Sequence, residues 1–290
     1  MIKIFTLPEF YKCTNTVDNF NSFYFELLNK AISLFEWKNL PENIDGDMIE
    51  FFLLTRGHIA FFKIKDKLHA TFGTPSDTLD ENYTFTKYLI TNPYISDGES
   101  FNLTVGSECI VVYNTPCDKV SITKSVFNRS LRKTAGILAD NMSSLNCLQI
   151  NSRVQTMVTA DNSNIAKSAE TVLKEMYEGK PYKVITNNLA NNITIENKNN
   201  TNSNTFSELI NLNNYMYAQY LHSIGIKSNE SQKKERLITA EIDDNSPECQ
   251  INLNQMLRCR KKAVEKINKL FGTEIELNLN DILTKGDIEK

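Results

Sequence analysis

The chain has 290 residues, 41% of them apolar and 23% charged, which describes an ordinary globular protein of one large or two modest domains. A formal net charge of −3 lacks the basic surplus of most DNA-binding proteins, without excluding a protein that DNA must slide past. No run approaches the roughly 20 apolar residues that a membrane span requires.

Residues 1–15 read as an arm, with no charged region followed by an apolar one and hence no signal peptide. Val17, Phe20, Phe23, Tyr24, Leu27, Ala31, Leu34 and Phe35 then keep steps of three and four, which predicts an amphipathic helix ending near Trp37, before Pro41. A short helix is expected over Asp47–Thr55, stopped at Gly57. Two β-rich runs between Ile59 and Phe72 flank Lys65-Asp66 and predict a hairpin without the favoured glycine. Tyr83–Ile90 and Cys109–Tyr113 are further strand candidates, so residues 1–117 read as one α+β layer.

Asp118 is placed to cap a long helix over Val120–Cys147, about 42 Å at 1.5 Å per residue and striped by Val120, Phe127, Leu131, Leu138, Met142 and Leu145. Gly136 inside it costs up to ~1 kcal/mol against alanine unless a neighbour packs closely there. Lys124, Arg129, Arg132 and Lys133 lie off the stripe, on a face expected to be solvated. Residues 148–200 predict a small α/β insertion: strand Arg153–Thr159, helix Ser163–Tyr177, then strands Tyr182–Thr186 and Ile193–Glu196. Asn197–Asn204 is a polar, low-complexity hinge.

Thr205-Phe206-Ser207-Glu208 reads as a capping box that opens a second long helix. Phe206, Leu209, Ile210, Asn213, Tyr217, Tyr220 and Ile224 form its packing face, whereas Ser207, Asn211, Asn214, Gln219 and Ser223 form a polar, uncharged one. Gly225 supplies a left-handed stop on which Ile226 can fold back. The charged stretch Lys227–Asn245 buries little and is expected to move. Ser246 and Pro247 then open a last amphipathic helix, stopped by Gly272, and Glu274–Leu279 alternates like a strand.

No catalytic chemistry is legible. A phosphate-binding loop, a dinucleotide fingerprint and a serine elbow are all missing from the sequence. His58 and His69 could face each other across the hairpin, but no third ligand follows at zinc spacing, and His222 stands alone. Glu241, Asp243 and Asp244 lack the glycine turn of a calcium loop and read as a solvated acidic run. Cys13, Cys109, Cys117, Cys147, Cys249 and Cys259 form no C-x-x-C pair and are expected to be buried free thiols. No metal, cofactor or catalytic residue is assigned, and the function expected is binding and assembly.

Three stretches carry a resemblance: Leu34-Phe35-Glu36-Trp37-Lys38-Asn39-Leu40-Pro41, Gly225-Ile226-Lys227 followed by Lys233-Lys234-Glu235-Arg236-Leu237-Ile238-Thr239-Ala240-Glu241, and Lys266-Ile267-Asn268-Lys269-Leu270-Phe271-Gly272. In order and spacing they resemble the upper collar proteins of small protein-primed, short-tailed bacteriophages, the head–tail connectors or portals. The resemblance implies an α+β portal-type subunit: a wing from 1–117 and 247–290, a stem helix at 118–147, a clip-like insertion at 148–200, a channel helix at 201–225 and a channel loop at 226–246. It implies a ring of twelve copies at one capsid vertex, through which double-stranded DNA enters and leaves without sequence preference.

Further implied partners are a packaging ATPase, major capsid and scaffolding proteins and a lower collar or tail protein. A packaging RNA is left open, and no membrane is involved. The implied place is the virion, assembled in the cytoplasm of the bacterial host. Lys227, Lys233, Lys234 and Arg236 would touch passing phosphates, and Ser207, Asn211, Asn214 and Gln219 would line the channel. Two departures limit the carry-over. The family's basic arm is here reduced to Lys3 and Lys12, and at the start of the second long helix stands Glu208, with only Lys198 nearby. The rival reading is a monomeric α+β adaptor without catalysis, whose long helices pack into its own core; an enzyme with an unrecognised site at His58 or Asp243 is a more distant third.

Overall fold

The computed structural model describes residues 16–75, 78–82, 84–96, 100–119, 125–153, 156–160, 163–165, 167–168, 170–171, 193–197, 203–226 and 246–280. The expected arm over 1–15, the strand at 182–186 and the charged loop at 227–245 lie outside them. Two compact units are present, one within Asn141–Ile210 and the other within Asn15–Asp140 and Asn211–Lys290.

The larger unit begins with α1 (Thr16–Ile32), β1 (Phe35–Lys38) and α2 (Gly46–Arg56). Contrary to the sequence reading, the first helix ends at Ile32 and Trp37 lies in a strand. The reason is distant: β1 pairs antiparallel with β10 (Glu276–Leu279), Trp37 opposite Leu277, so residues continuing a helical stripe are drawn into a ladder. Asp45 accepts the Asp47 N–H to cap α2, which closes with left-handed Gly57 (φ 91°). Strands β2 (His58–Ile64) and β3 (Lys67–Thr71) form the expected hairpin, Lys65 and Asp66 both adopting positive φ (47° and 62°), as a two-residue primed turn requires.

β2 is central, flanked by β3 and by β7 (Cys109–Tyr113). Its first five residues are all buried because the two faces meet different cores. Ile59 and Phe61 join the main core with Leu27, Leu53, Leu131, Tyr220 and Ile267, whereas Ala60 and Phe62 join a smaller cluster with Tyr88, Ile90 and Cys109. That smaller cluster draws on a second sheet of β4 (Thr74–Pro75), β5 (Lys87–Ile90) and β6 (Phe101–Thr104), and α3 (Pro93–Ser96) joins β5 to β6. The expected strand from Tyr83 is therefore only Lys87–Ile90, and β4 and β6 were not legible. Tyr88 sits at 0% exposure; its hydroxyl accepts the Gly73 N–H (2.8 Å) and shares a second hydrogen bond with His58 Nδ1 (2.7 Å).

The main core closes on one buried polar cluster. Arg260, on α6 (Ser246–Phe271), is 0% exposed and makes a bidentate pair with Glu50 of α2, Nε to Oε1 at 2.9 Å and an Nη to Oε2 at 2.7 Å. The same guanidinium donates to Asn114 Oδ1 (2.8 Å) and lies 4.2 Å from the Phe35 ring centre, while Trp37 Nε1 donates to Glu50 Oε1 (2.8 Å). Four separate segments thus share one ion pair, which gives it a role in registering them. The cysteine expectation is corrected in part: Cys109 is buried, but Cys117 and Cys147 are exposed and Cys259 is half-buried.

Candidate channel interface

Two long helices carry the residues of interest. The first, α4 (Val126–Arg153), has the expected 28 residues but starts six later than Val120. Asp118 is held in a short 3-10 turn (Pro116–Lys119), where its Oδ2 accepts from the Thr115 N–H and hydroxyl. Its Oδ1 still reaches across to the Val126 N–H (3.0 Å), and Ser125 Oγ takes the Asn128 N–H (3.4 Å) as the local cap. Burial raises the Asp118 carboxyl above the ordinary range, opposed by those hydrogen bonds. Arg129, Arg132 and Lys133 are exposed as expected, with Arg132 5.6 Å from the Phe20 ring centre; Lys124 lies outside the described residues. Around Gly136 a Cβ would meet nothing within 4 Å, so among the described residues no neighbour explains that glycine.

The second, α5 (Ser203–Ser223), starts two residues before the proposed cap at Thr205, so Thr205 and Glu208 lie inside the helix. Its end follows the sequence reading closely. Gly225 (φ 85°) donates to the His222 carbonyl and Ile226 to the Leu221 carbonyl (2.9 Å), the paired bonds of a Schellman stop. A Cβ at Gly225 would come 2.7 Å from Leu253 of α6, so both the left-handed turn and the close helix approach require glycine here.

The packing face is only half used. Tyr220 and Ile224 are buried, Tyr220 donating its hydroxyl to the Leu27 carbonyl at 2.6 Å; burial raises its phenol well above the ordinary range. Tyr217 lies under Lys30 (4.4 Å to the ring centre) and donates to Glu26. Phe206 and Ile210, expected on the same face, are 44% and 39% exposed. In the smaller unit, Asn141 Nδ2 donates to the Leu209 carbonyl (2.8 Å), and β8 (Thr156–Ala160) pairs antiparallel with β9 (Ile193–Asn197). The strand expected at Arg153–Thr159 thus begins later, because α4 runs on to Arg153.

Ser207, Asn211, Asn214 and Gln219 are all exposed. Steps of 4 and 3 keep the first three on one stripe, and Gln219 lies about a third of a turn round. The stripe is less purely polar than expected, since Leu212 (42% exposed) and Tyr215 (48%) share that side with Glu208. Across Ser203–Ser223 there is no lysine or arginine. A polyanion passing such a face meets hydrogen-bonding groups and aromatic surface but no fixed cation.

Lys227, Lys233, Lys234 and Arg236 lie outside the described residues, as do Glu241, Asp243, Asp244 and Lys198. The histidine pairing is corrected: register places His69 opposite Phe62 and His58 opposite Tyr113. Among the described residues no group of His, Cys, Asp and Glu is arranged to hold a metal ion, and no helix is long and apolar enough to cross a membrane. What the sequence reading missed is the outer side of α6, where Arg258, Lys261, Lys262, Lys266 and Lys269 are all exposed. Their signal was present, as cations falling between the apolar positions Met256, Val264, Ile267 and Phe271.

The family described as Phage Connector (GP10) matches residues 10–284. The chain belongs to the phage connector family. As a connector it is a component of a virion, and membership implies several copies assembled with capsid and tail proteins. Among solved structures, the portal and tail of native bacteriophage P68 is similar at 17% identity, covering 97% of this chain and 93% of that one with a TM-score of 0.47. The connector's own architecture is mixed helix and strand in small sheets, the α+β class expected from its sequence.

Proposed function

We propose that this connector forms a ring channel at one capsid vertex, through which double-stranded DNA is packaged and ejected, and that it joins head to tail there. In this reading α4 is the stem helix, α5 faces the channel, the 148–200 segment is the clip, and the segments before 118 and after 246 form the wing. Twelve copies, a separate packaging ATPase, scaffolding protein and a lower collar protein complete the assembly; the family resemblance supports these, with a packaging RNA as a further candidate.

The observation that carries the reading is the exposed face of α5: 21 residues, about 31 Å long, without one lysine or arginine. Each cation held on a phosphate adds roughly 0.9 to the salt slope of DNA binding, and repeated round a ring such contacts would hold DNA still. A conduit needs weak and sequence-blind contact, which Ser207, Asn211, Asn214 and Gln219 supply. Phe206 and Ile210, one turn apart on the expected packing face of α5, stay 44% and 39% exposed, which favours assembly over the monomeric alternative.

Electron microscopy of the purified chain, with Asn211→Lys and Asn214→Lys made in parallel, tests this. Rings with an open bore are expected, and the lysine variants should assemble yet retain DNA tightly at low salt and translocate it poorly. Monomers at every salt concentration, or rings whose α5 polar face points away from the bore, would overturn it.

A further inference from the structure

The chain as a whole is acidic, yet the exposed side of α6 is not. Arg258, Lys261, Lys262, Lys266 and Lys269 set five cations against one carboxylate, Glu265, within about 17 Å of helix. Arg258–Lys262, Lys262–Lys266, Arg258–Lys261 and Lys266–Lys269 are like-charged neighbours at helical spacing, each unfavourable by a few tenths of a kcal/mol. Glu265 stands at helical spacing from Lys261, Lys262 and Lys269 but can pair fully with only one. Among the described residues, Lys30 pairs with Glu26 and Lys38 with Glu36. Lys63 extends the basic surface, its Nζ bound to the Phe271 carbonyl at the end of α6 (2.8 Å). Beside the stripe, Lys261 lines an open hollow of about 490 Å³ with Lys38 and Glu36, which neutralise each other.

We propose that this side of α6 binds the phosphate backbone of double-stranded DNA without reading sequence, as a surface separate from the α5 face. A self-repelling stripe gains when a polyanion neutralises it and releases its counterions. The composition favours nucleic acid over a protein partner, because protein interfaces are depleted in lysine and built round apolar or aromatic anchors. From Arg258 to Lys269 the exposed positions carry no such anchor. The absence of aromatic side chains on the stripe also argues against stacking on single-stranded bases. The proposal goes beyond the channel reading and does not depend on which residues line a bore.

The test is fluorescence anisotropy of a short random-sequence DNA duplex titrated with the full chain across salt concentrations. The variant carries Arg258→Gln, Lys262→Gln, Lys266→Gln and Lys269→Gln; a deletion of residues 229–245 is measured beside it. Losing four phosphate contacts should flatten the salt slope by up to ~3.6, so the variant's affinity should fall on the order of 10²-fold less steeply between about 50 and about 200 mM salt. Lys262→Arg with Lys266→Arg should keep the native slope. If the fourfold variant does not fold, Lys262→Gln with Lys266→Gln should still remove ~1.8 of the slope. An unchanged slope in folded variants overturns the proposal. So does loss of the whole slope on deleting 229–245 alone, binding of duplex RNA in place of DNA, or loss of capsid-shell binding with DNA affinity intact.

Discussion

Replacing Arg260 with methionine should do more damage than any surface change. The substitution removes the guanidinium that lies 4.2 Å from the Phe35 ring centre and leaves Glu50, at 0% exposure, with only the Trp37 N–H as a described side-chain partner. An uncompensated buried charge typically costs 3–5 kcal/mol, so the midpoint should fall by roughly 10 °C for a chain of this size. The double variant Arg260→Met, Glu50→Met removes the stranded charge as well. It leaves the Trp37 N–H and Asn114 Oδ1 unpaired, at about 1–3 kcal/mol each, against about 1–4 kcal/mol regained from ion desolvation. The two single costs should therefore fail to add, with a coupling of at least ~2 kcal/mol. Urea unfolding at fixed protomer concentration provides the readout, followed by far-UV circular dichroism and by the fluorescence of Trp37, the chain's one tryptophan. A single-variant cost below ~1 kcal/mol, or strictly additive costs, would refute the idea that this pair holds four segments in register.

Other consequences follow from the same geometry. Gly225→Ala should destabilise by about 2 kcal/mol or more, combining a left-handed residue with a contact against Leu253, and thermal unfolding checks it. Burial, then the charge on Arg56, lowers the His58 pKa to about 4, against about 6.5 in an unfolded chain. The stability from keeping it neutral is complete above pH 6.5 and is lost as the pH falls towards 4, about 3 kcal/mol in all; His58→Gln, which can still hydrogen-bond to Tyr88, should flatten that limb of the unfolding profile. Deleting residues 229–245 should leave assembly intact and impair retention of packaged DNA; failure to assemble would place the loop in the scaffold.

Local signals in this chain were legible because their causes lie within a turn or two. Gly57, Gly225 and Gly272 stop helices where the sequence places stops, the last two with φ of 85° and 67°. Lys65-Asp66 forms its hairpin turn without glycine because two β-rich runs on either side dictate register. The errors have a common origin too. Leu34 and Phe35 continue a helical period, yet β10, some 240 residues on, captures Phe35–Lys38 as a strand. Asp118 looks like a cap and is one, but for a helix beginning at Val126, and residues between the two carry no local mark of the delay. The capping box at Thr205 fails because capping competes with continuing the helix, and Ser203 starts it first.

By itself the sequence determined the helix faces, the turns, the polar and cation-free side of α5, and membership of a family with no visible catalytic apparatus. Tertiary structure alone decided which apolar residues are covered and which cation is buried. Arg260 sits in a run of basic residues, Arg258-Cys259-Arg260-Lys261-Lys262, and only Glu50, Asn114 and Phe35 arriving from elsewhere on the fold make it a core residue while Arg258, Lys261 and Lys262 stay in water. Periodicity follows from the backbone's own geometry, whereas burial depends on partners far along the chain, and no pattern within one helix names them.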